Sequence, residues 1–177
     1  MVNTQEKISD LIKELRDENP LNRRNARISL VQIGDESLPA LLKALDSPSE
    51  YTRLEAVRAM RSFWQPLTSE ALVRKLMDEK VSVRHAAMEA LISKGRNSLH
   101  PILVEFTTHF YSARLKEGVY HILHVLKDRH LLRAPEIRLF NALKKQVIPA
   151  FNFNPNIEAA WLAEKALEAL EHESDRK

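Results

Sequence analysis

Apolar residues in this chain recur at i, i+3, i+4 and i+7, in one segment after another. Ile8, Leu11, Ile12 and Leu15 form the first such stripe, and Leu38, Leu41, Leu42 and Leu45 repeat it. Leu72, Val73 and Leu76 follow, then Leu99, Ile102, Leu103 and Phe106. That spacing puts each set on one face of an amphipathic helix. Between these stripes lies a second kind of segment: RRNARISLVQIG from Arg23, RLEAVRAMRSFW from Arg53 and RHAAMEALISKG from Arg84. Each has alanine three residues after the arginine (Ala26, Ala56, Ala87), a small residue three further on (Ser29, Ala59, Ala90), then a large apolar one (Leu30, Met60, Leu91). Small residues on a shared face let neighbouring helices approach closely.

The junctions are punctuated. Asn19-Pro20 reads as an N-cap followed by proline at the first helical position, and Ser47-Pro48-Ser49-Glu50 as a second helix start with a capping box. Gly34 and Gly95 read as C-cap glycines closing first helices, and Pro39 and Pro101 sit in first turns of second helices. Beyond Phe106 the pattern loosens. A fourth first helix is expected with Gly118 at the small position and Ile122 at the large one, and a second helix after it with Pro135 near its start. A break follows over 147–156, marked by Pro149 and Pro155, then a last helix and a frayed polar tail over 173–177.

Alternating first and second helices with a period of about 30 residues are an internal repeat. The unit from Asp78 to Gly95 resembles the HEAT-like repeats of the phycobilisome-lyase type, and related stretches flank it. The resemblance implies an all-α, right-handed α-solenoid of about five helical hairpins. It predicts a single domain over 1–177, with regular repeats over 8–128 and an irregular repeat with a capping helix over 129–172. In HEAT-like families an aspartate and an arginine of each repeat form a ladder of hydrogen bonds along the stack. The resemblance implies that role for Asp17 and Arg23, Asp46 and Arg53, and Asp78 and Arg84. It also implies that second helices line the concave side.

Composition narrows the function classes. With 44% hydrophobic and 29% charged residues the chain is globular. It has no cysteine, which excludes disulfides and thiolate metal sites and agrees with a cytoplasmic location. The polar, acidic first turns are unlike a signal peptide, and no apolar run reaches the roughly 18–20 residues of a membrane helix. A net charge of +3 is too mild for a strong nucleic-acid surface.

No catalytic motif emerges: there is no nucleophile elbow, no glycine-rich phosphate loop among three glycines, and no carboxylate pair outside helix-capping turns. His121 and His124 share a helical face, with Glu117 one turn before His121, but match no complete metal site. Deoxyhypusine hydroxylases, another HEAT-like family, use His-Glu pairs to hold two irons. Here His85 precedes Ala86 and His121 precedes Ile122, so that likeness stops at the fold, and neither metal nor cofactor is expected.

One basic column does come out of the register. Lys13, Lys43 and Arg74 occupy equivalent places on successive second helices, facing away from the leucine stripes, and Lys75 lies beside Arg74. The column ends at Val104, with His100 one turn before it. These residues predict a strip for a protein partner with an acidic surface. Trp64, standing where the arginine register puts Gly34 and Gly95, reads as folded inward over the core or as an aromatic anchor, the inward placement being favoured. Trp161 reads as a core cap, and Phe106, Phe110 and Tyr111 as packing. Glu158, Glu164, Glu168, Glu171 and Glu173 on the last helix face a preceding segment with Arg129, Arg133, Arg138, Lys144 and Lys145, which predicts an acidic cap over a basic repeat. The function these features point to is a non-catalytic scaffold or adaptor. The alternatives are a bilin-lyase subunit or phycobilisome-handling factor, implied by the repeat type alone, and a HEAT-like alkylpurine DNA glycosylase or DNA binder, for which three or four phosphate contacts would bind weakly.

Overall fold

The computed structural model describes residues 3–145 and 155–175. Among these residues the secondary structure is helical, without strands: α1 (Thr4–Glu14), α2 (Pro20–Ile33), α3 (Leu38–Ala44), α4 (Glu50–Met60), α5 (Pro66–Arg74), α6 (Val81–Ser93), α7 (Leu99–His109), α8 (Ala113–Asp128), α9 (Ala134–Lys145) and α10 (Pro155–Ser174). The fold class is the all-α solenoid of HEAT-like helical hairpins. Of the break predicted over 147–156, residues 147–154 lie outside the described residues. The chain packs as two compact units, Met1–Ala90 and Leu91–Lys177.

In the first unit the repeat register is written in side-chain contacts. Ala26, Ala56 and Ala87 are buried, as are Leu30 and Met60, and the first helices α2 and α4 pack on each other. The turns before them are copies of one another. Asp17, Ser47 and Asp78 each accept the backbone N–H two residues on, from Asn19 at 2.7 Å, Ser49 at 3.2 Å and Lys80 at 2.9 Å. Arg23, Arg53 and Arg84 then each donate Nη1 to the two carbonyls opening their turn: those of Asp17 and Glu18, of Ser47 and Pro48, and of Asp78 and Glu79. Each arginine thereby ties its helix to the preceding turn and satisfies carbonyls that the turn leaves open.

The arginine ladder differs from the pairs the sequence suggests. Arg53 bonds forward, donating Nε to Asp78 Oδ2 at 2.9 Å and Nη2 to Asp78 Oδ1 at 3.1 Å. Asp46 is one residue out of register with Asp17 and Asp78, and it accepts from Lys75 Nζ at 2.8 Å instead. The equivalent place belongs to Ser47. Arg23 finds no carboxylate there: its Nε is buried without a hydrogen-bond partner, and its guanidinium lies 4.1 Å from the centre of the Tyr51 ring. A second set of rungs runs through Glu55, which is buried and accepts from Arg27 on α2 at 2.8 Å and from Arg58 at 2.7 Å.

Gly34 and Gly95 take positive φ, 78° and 59°, and begin short 3₁₀ turns ending at Ser37 and Ser98. The buried hydroxyls of Ser37 and Ser98 donate to the carbonyls of Gly34 and Gly95, each at 2.8 Å. In the middle repeat the same bond runs from Thr68 Oγ1 to the Gln65 carbonyl at 2.6 Å. Gln65, and not Trp64, therefore matches the glycines, because the segment between Arg53 and Thr68 carries one extra residue. The longer turn needs no left-handed backbone. Gln65 is extended at φ −60° and ψ 140°, with Pro66 opening α5.

In the second unit α8 is the expected fourth first helix, with Gly118 and Ile122 buried on its inner face. The last helix, α10, packs along both α7 and α9, its inner face lined by Ala159, Ala163 and Ala166. Alanines at that spacing bring the helix axes close. Arg96 gathers the unit's ends: Nη1 donates to the Leu131 carbonyl at 2.7 Å, and Nη2 to Glu136 at 3.2 Å and Glu173 at 3.4 Å. Arg133 also pairs with Glu173. The predicted acidic cap thus interlocks through Glu173 in particular, whereas Glu158, Glu164 and Lys144 are exposed and Lys165 pairs with Glu168 within α10. Since α10 runs to Ser174, Glu173 is part of a helix and not of a frayed tail.

Candidate partner-binding face

The second-helix residues singled out by the register separate into three groups. Lys13 and Lys43 come together. They line one groove of about 630 Å³ in the first unit, running between α1 and α3 and reaching the turn into α4. Ile8, Ile12, Ala40, Ala44 and Pro48 give it an apolar lining, while Ser9, Arg16, Lys43 and Lys13 supply polar and basic groups. An apolar channel with a few converging charges is the usual form of a binding cleft. Lys43 and Arg16 are exposed, and their side chains make no hydrogen bond or ion pair among the described residues, so their charge is available to a ligand. Lys13 is partly committed, donating to Asp10 at 2.8 Å, though both side chains are largely in solvent.

Lys75 is different. Its ammonium bonds Asp46 at 2.8 Å and its side chain is mostly covered, so it joins two repeats and offers little free charge. Arg74 is exposed in the last turn of α5. His100 sits in the second unit, where Nε2 lies 3.7 Å from Glu171 Oε1 of α10. The face of α7 that the sequence leaves open for a partner is therefore approached by the chain's own last helix.

Two aromatic expectations are corrected. Trp64 is 65% exposed and does not fold over the core. The extra residue in its turn puts it on the outside, so it needs no small-residue niche. Trp161 is 55% exposed, beside Ile157 at 56%, because α10 turns its alanine stripe inward and leaves the face with Trp161 outward. Phe106 is wholly buried as expected; Tyr111 is 65% exposed with its ring against Phe110. His124 lies beside the stacked rings of Tyr120 and Phe140, which are 5.3 Å apart, and its Nδ1 is 3.5 Å from Asp128 Oδ2. Among the described residues no three histidines, cysteines or carboxylates gather where a metal could be held, and no helix is long and apolar enough to cross a membrane.

Sequence reasoning missed Arg16, which lies in the turn just after α1, three residues beyond Lys13. It also missed the groove itself, whose walls come from stretches far apart in the chain. The Arg53–Asp78 rung perturbs both of its charged groups. Burial pushes the Asp78 carboxyl upward, but the Arg53 hydrogen bond, the Lys80 backbone N–H and the charges of Arg53 and Lys75 outweigh it and hold the carboxyl below its ordinary value.

Residues 8–92 match the family model for HEAT repeats, a stretch that runs from within α1 through α5 to the last turn of α6. Over that stretch, just under half of its length, the chain is similar to HEAT-repeat proteins. It has no match among curated proteins.

Proposed function

We propose that this HEAT-like repeat chain is a non-catalytic adaptor that holds an acidic protein partner on the second-helix face of its first unit. The observation that supports this is the α1–α3 groove, an apolar channel bordered by the uncommitted charges of Lys43 and Arg16 and by Lys13. Buried apolar contact supplies affinity in such a site, and the basic rim selects the partner and speeds encounter. Arg74 extends the basic surface along the second helices. Lys75 and His100 are left out of the proposed face, since each already meets a carboxylate of this chain. The period of about 30 residues favours the phycobilisome-lyase type of repeat, a type defined by geometry and not by an activity.

The test is to compare proteins retained from the native source by the wild-type chain and by a Lys43→Glu, Arg16→Glu variant. The expected result is an acidic protein held by the wild type, released by moderate salt and lost from the variant, with helicity unchanged by circular dichroism. Equal retention by both proteins overturns the reading.

A further inference from the structure

The second unit shows a helix already seated on second helices. α10 lies along α7 and α9, which follow the first helices α6 and α8 just as α1 and α3 flank α2. Its contact face is a stripe of Ala159, Ala163 and Ala166, and its flank brings Glu171 to His100. His100 occupies the place on α7 that Ser9 holds on α1, and Ser9 lines the open groove of the first unit. The same kind of surface is thus shown twice: covered by an acidic, alanine-faced helix in one unit, and open, apolar and basic-rimmed in the other.

From this we infer that the groove between α1 and α3 receives an amphipathic α-helix of the partner, carrying small residues on its inner face and glutamates or aspartates along its flank. This rests on the proposed adaptor function and specifies the form of the partner. Small residues on the partner suit the groove because Ala40 and Ala44 line it, so that small side chains on both helices let their axes approach closely, as the alanine stripe of α10 does in the second unit. Acidic flanks are required because Lys13, Arg16 and Lys43 border the channel while Asp46 is engaged by Lys75. A helix suits such a groove through side chains at i, i+3, i+4 and i+7, the spacing that α10 itself uses.

The probe is a labelled peptide of residues 155–174, the α10 sequence, added in trans to the full chain. The chain's own α10 holds the α7–α9 surface as an intramolecular ligand at high effective concentration, so the added peptide meets the open groove first. A control peptide carries Ala163→Pro and Ala166→Pro, which abolish helicity and keep the charge. Binding is read by fluorescence anisotropy at low salt, against the wild type and against the Lys43→Glu, Arg16→Glu variant. The inference expects saturable binding of the helical peptide, weakened roughly 10-fold or more by the two reversals, and roughly 10-fold or more weaker binding of the proline peptide. Equal binding of both peptides, still lost in the variant, overturns the helix inference and leaves the acidic-partner reading standing. Binding of the helical peptide that is indifferent to the reversals but changes with His100→Ala places it on the second unit and also overturns the inference. Binding of neither peptide overturns it as well. In that last case the adaptor reading is judged separately, by the retention experiment.

Discussion

Arg53 on α4 clasps Asp78 at the turn into α6 with two parallel hydrogen bonds, while its remaining terminal nitrogen holds the carbonyls of Ser47 and Pro48. The turns that lead into α4 and α6 therefore meet on one guanidinium, on a residue that is 7% exposed. Replacing Asp78 with alanine leaves that charge buried with only the exposed Glu79 as an acidic neighbour. The expected loss of unfolding free energy in urea is about 3 kcal/mol. An Arg53→Met, Asp78→Met double variant is expected to be less destabilised than the Asp78→Ala single, because it leaves no uncompensated ion.

The same pair sets an acid dependence. The folded-state pKa of Asp78 lies below the ordinary 3.8 of the unfolded chain. Its contribution is therefore complete above that ordinary value and is lost as pH falls through the folded value. Urea midpoints measured from neutral pH down to about pH 2 should show wild type losing its advantage over Asp78→Asn in that lowest range. A difference between the two proteins that stays constant with pH would remove Asp78 as the responsible group.

Ser47 is the missing rung. It stands where Asp17 and Asp78 stand in the flanking repeats and makes the same turn, but it gives Arg23 no carboxylate, and the Nε of Arg23 is buried unpaired. Ser47→Asp is expected to keep the bond to the Ser49 N–H and accept from Arg23, adding about 1 kcal/mol. For a chain of this size that corresponds to a rise in Tm of roughly 2–4 °C. The gain should vanish in an Arg23→Met background, and a gain that persists there would come from the helix N-terminus of α4 instead.

Much of this architecture is legible in the sequence, for a definite reason. Arg23, Arg53 and Arg84 with their alanines and large apolar partners repeat at helical spacing, and burial of one face dictates that spacing. What escapes is what a period of 3.6 does not record. A one-residue offset separates Asp46 from Ser47, and a one-residue insertion moves Trp64 off the glycine position, yet neither disturbs the apolar stripes on either side. The alanine stripe of α10 announces a close helix contact without naming α7 and α9 as the partners. The groove beside Lys43 exists only because α1 and α3 are brought side by side.

Trp64 and Trp161 give a direct optical check on the turn geometry. Both indoles are more than half exposed, at 65% and 55%, and the chain has no other tryptophan. The native emission should already resemble that of exposed indole, be quenched readily by acrylamide and shift little on unfolding. Trp64→Ala is expected to change stability by no more than about 0.5 kcal/mol, the range for a surface substitution. A loss of about 3 kcal/mol or more would mean that the ring fills the core after all.

Arg96 does for the second unit what Arg53 does for the first, with a buried carboxylate as the group at risk. Glu136 is 2% exposed. One oxygen accepts the Arg133 backbone N–H at 2.8 Å, as a glutamate in the first turn of a helix does in a capping box, and the other accepts from Arg96. Arg96→Met leaves that second oxygen buried and charged, and it also frees the Leu131 carbonyl and one contact to Glu173. The expected cost is about 3 kcal/mol. Adding Glu136→Gln removes the stranded charge while the side-chain carbonyl still caps Arg133, so the double variant should recover part of the loss. Arg96→Lys should not restore the wild type, since a single ammonium does not span the Leu131 carbonyl and two carboxylates as a planar guanidinium does. Urea unfolding of the three variants decides it. If Arg96→Met and the double variant are equally destabilised, the stranded Glu136 charge is not the cause, and the loss belongs to the Leu131 and Glu173 contacts.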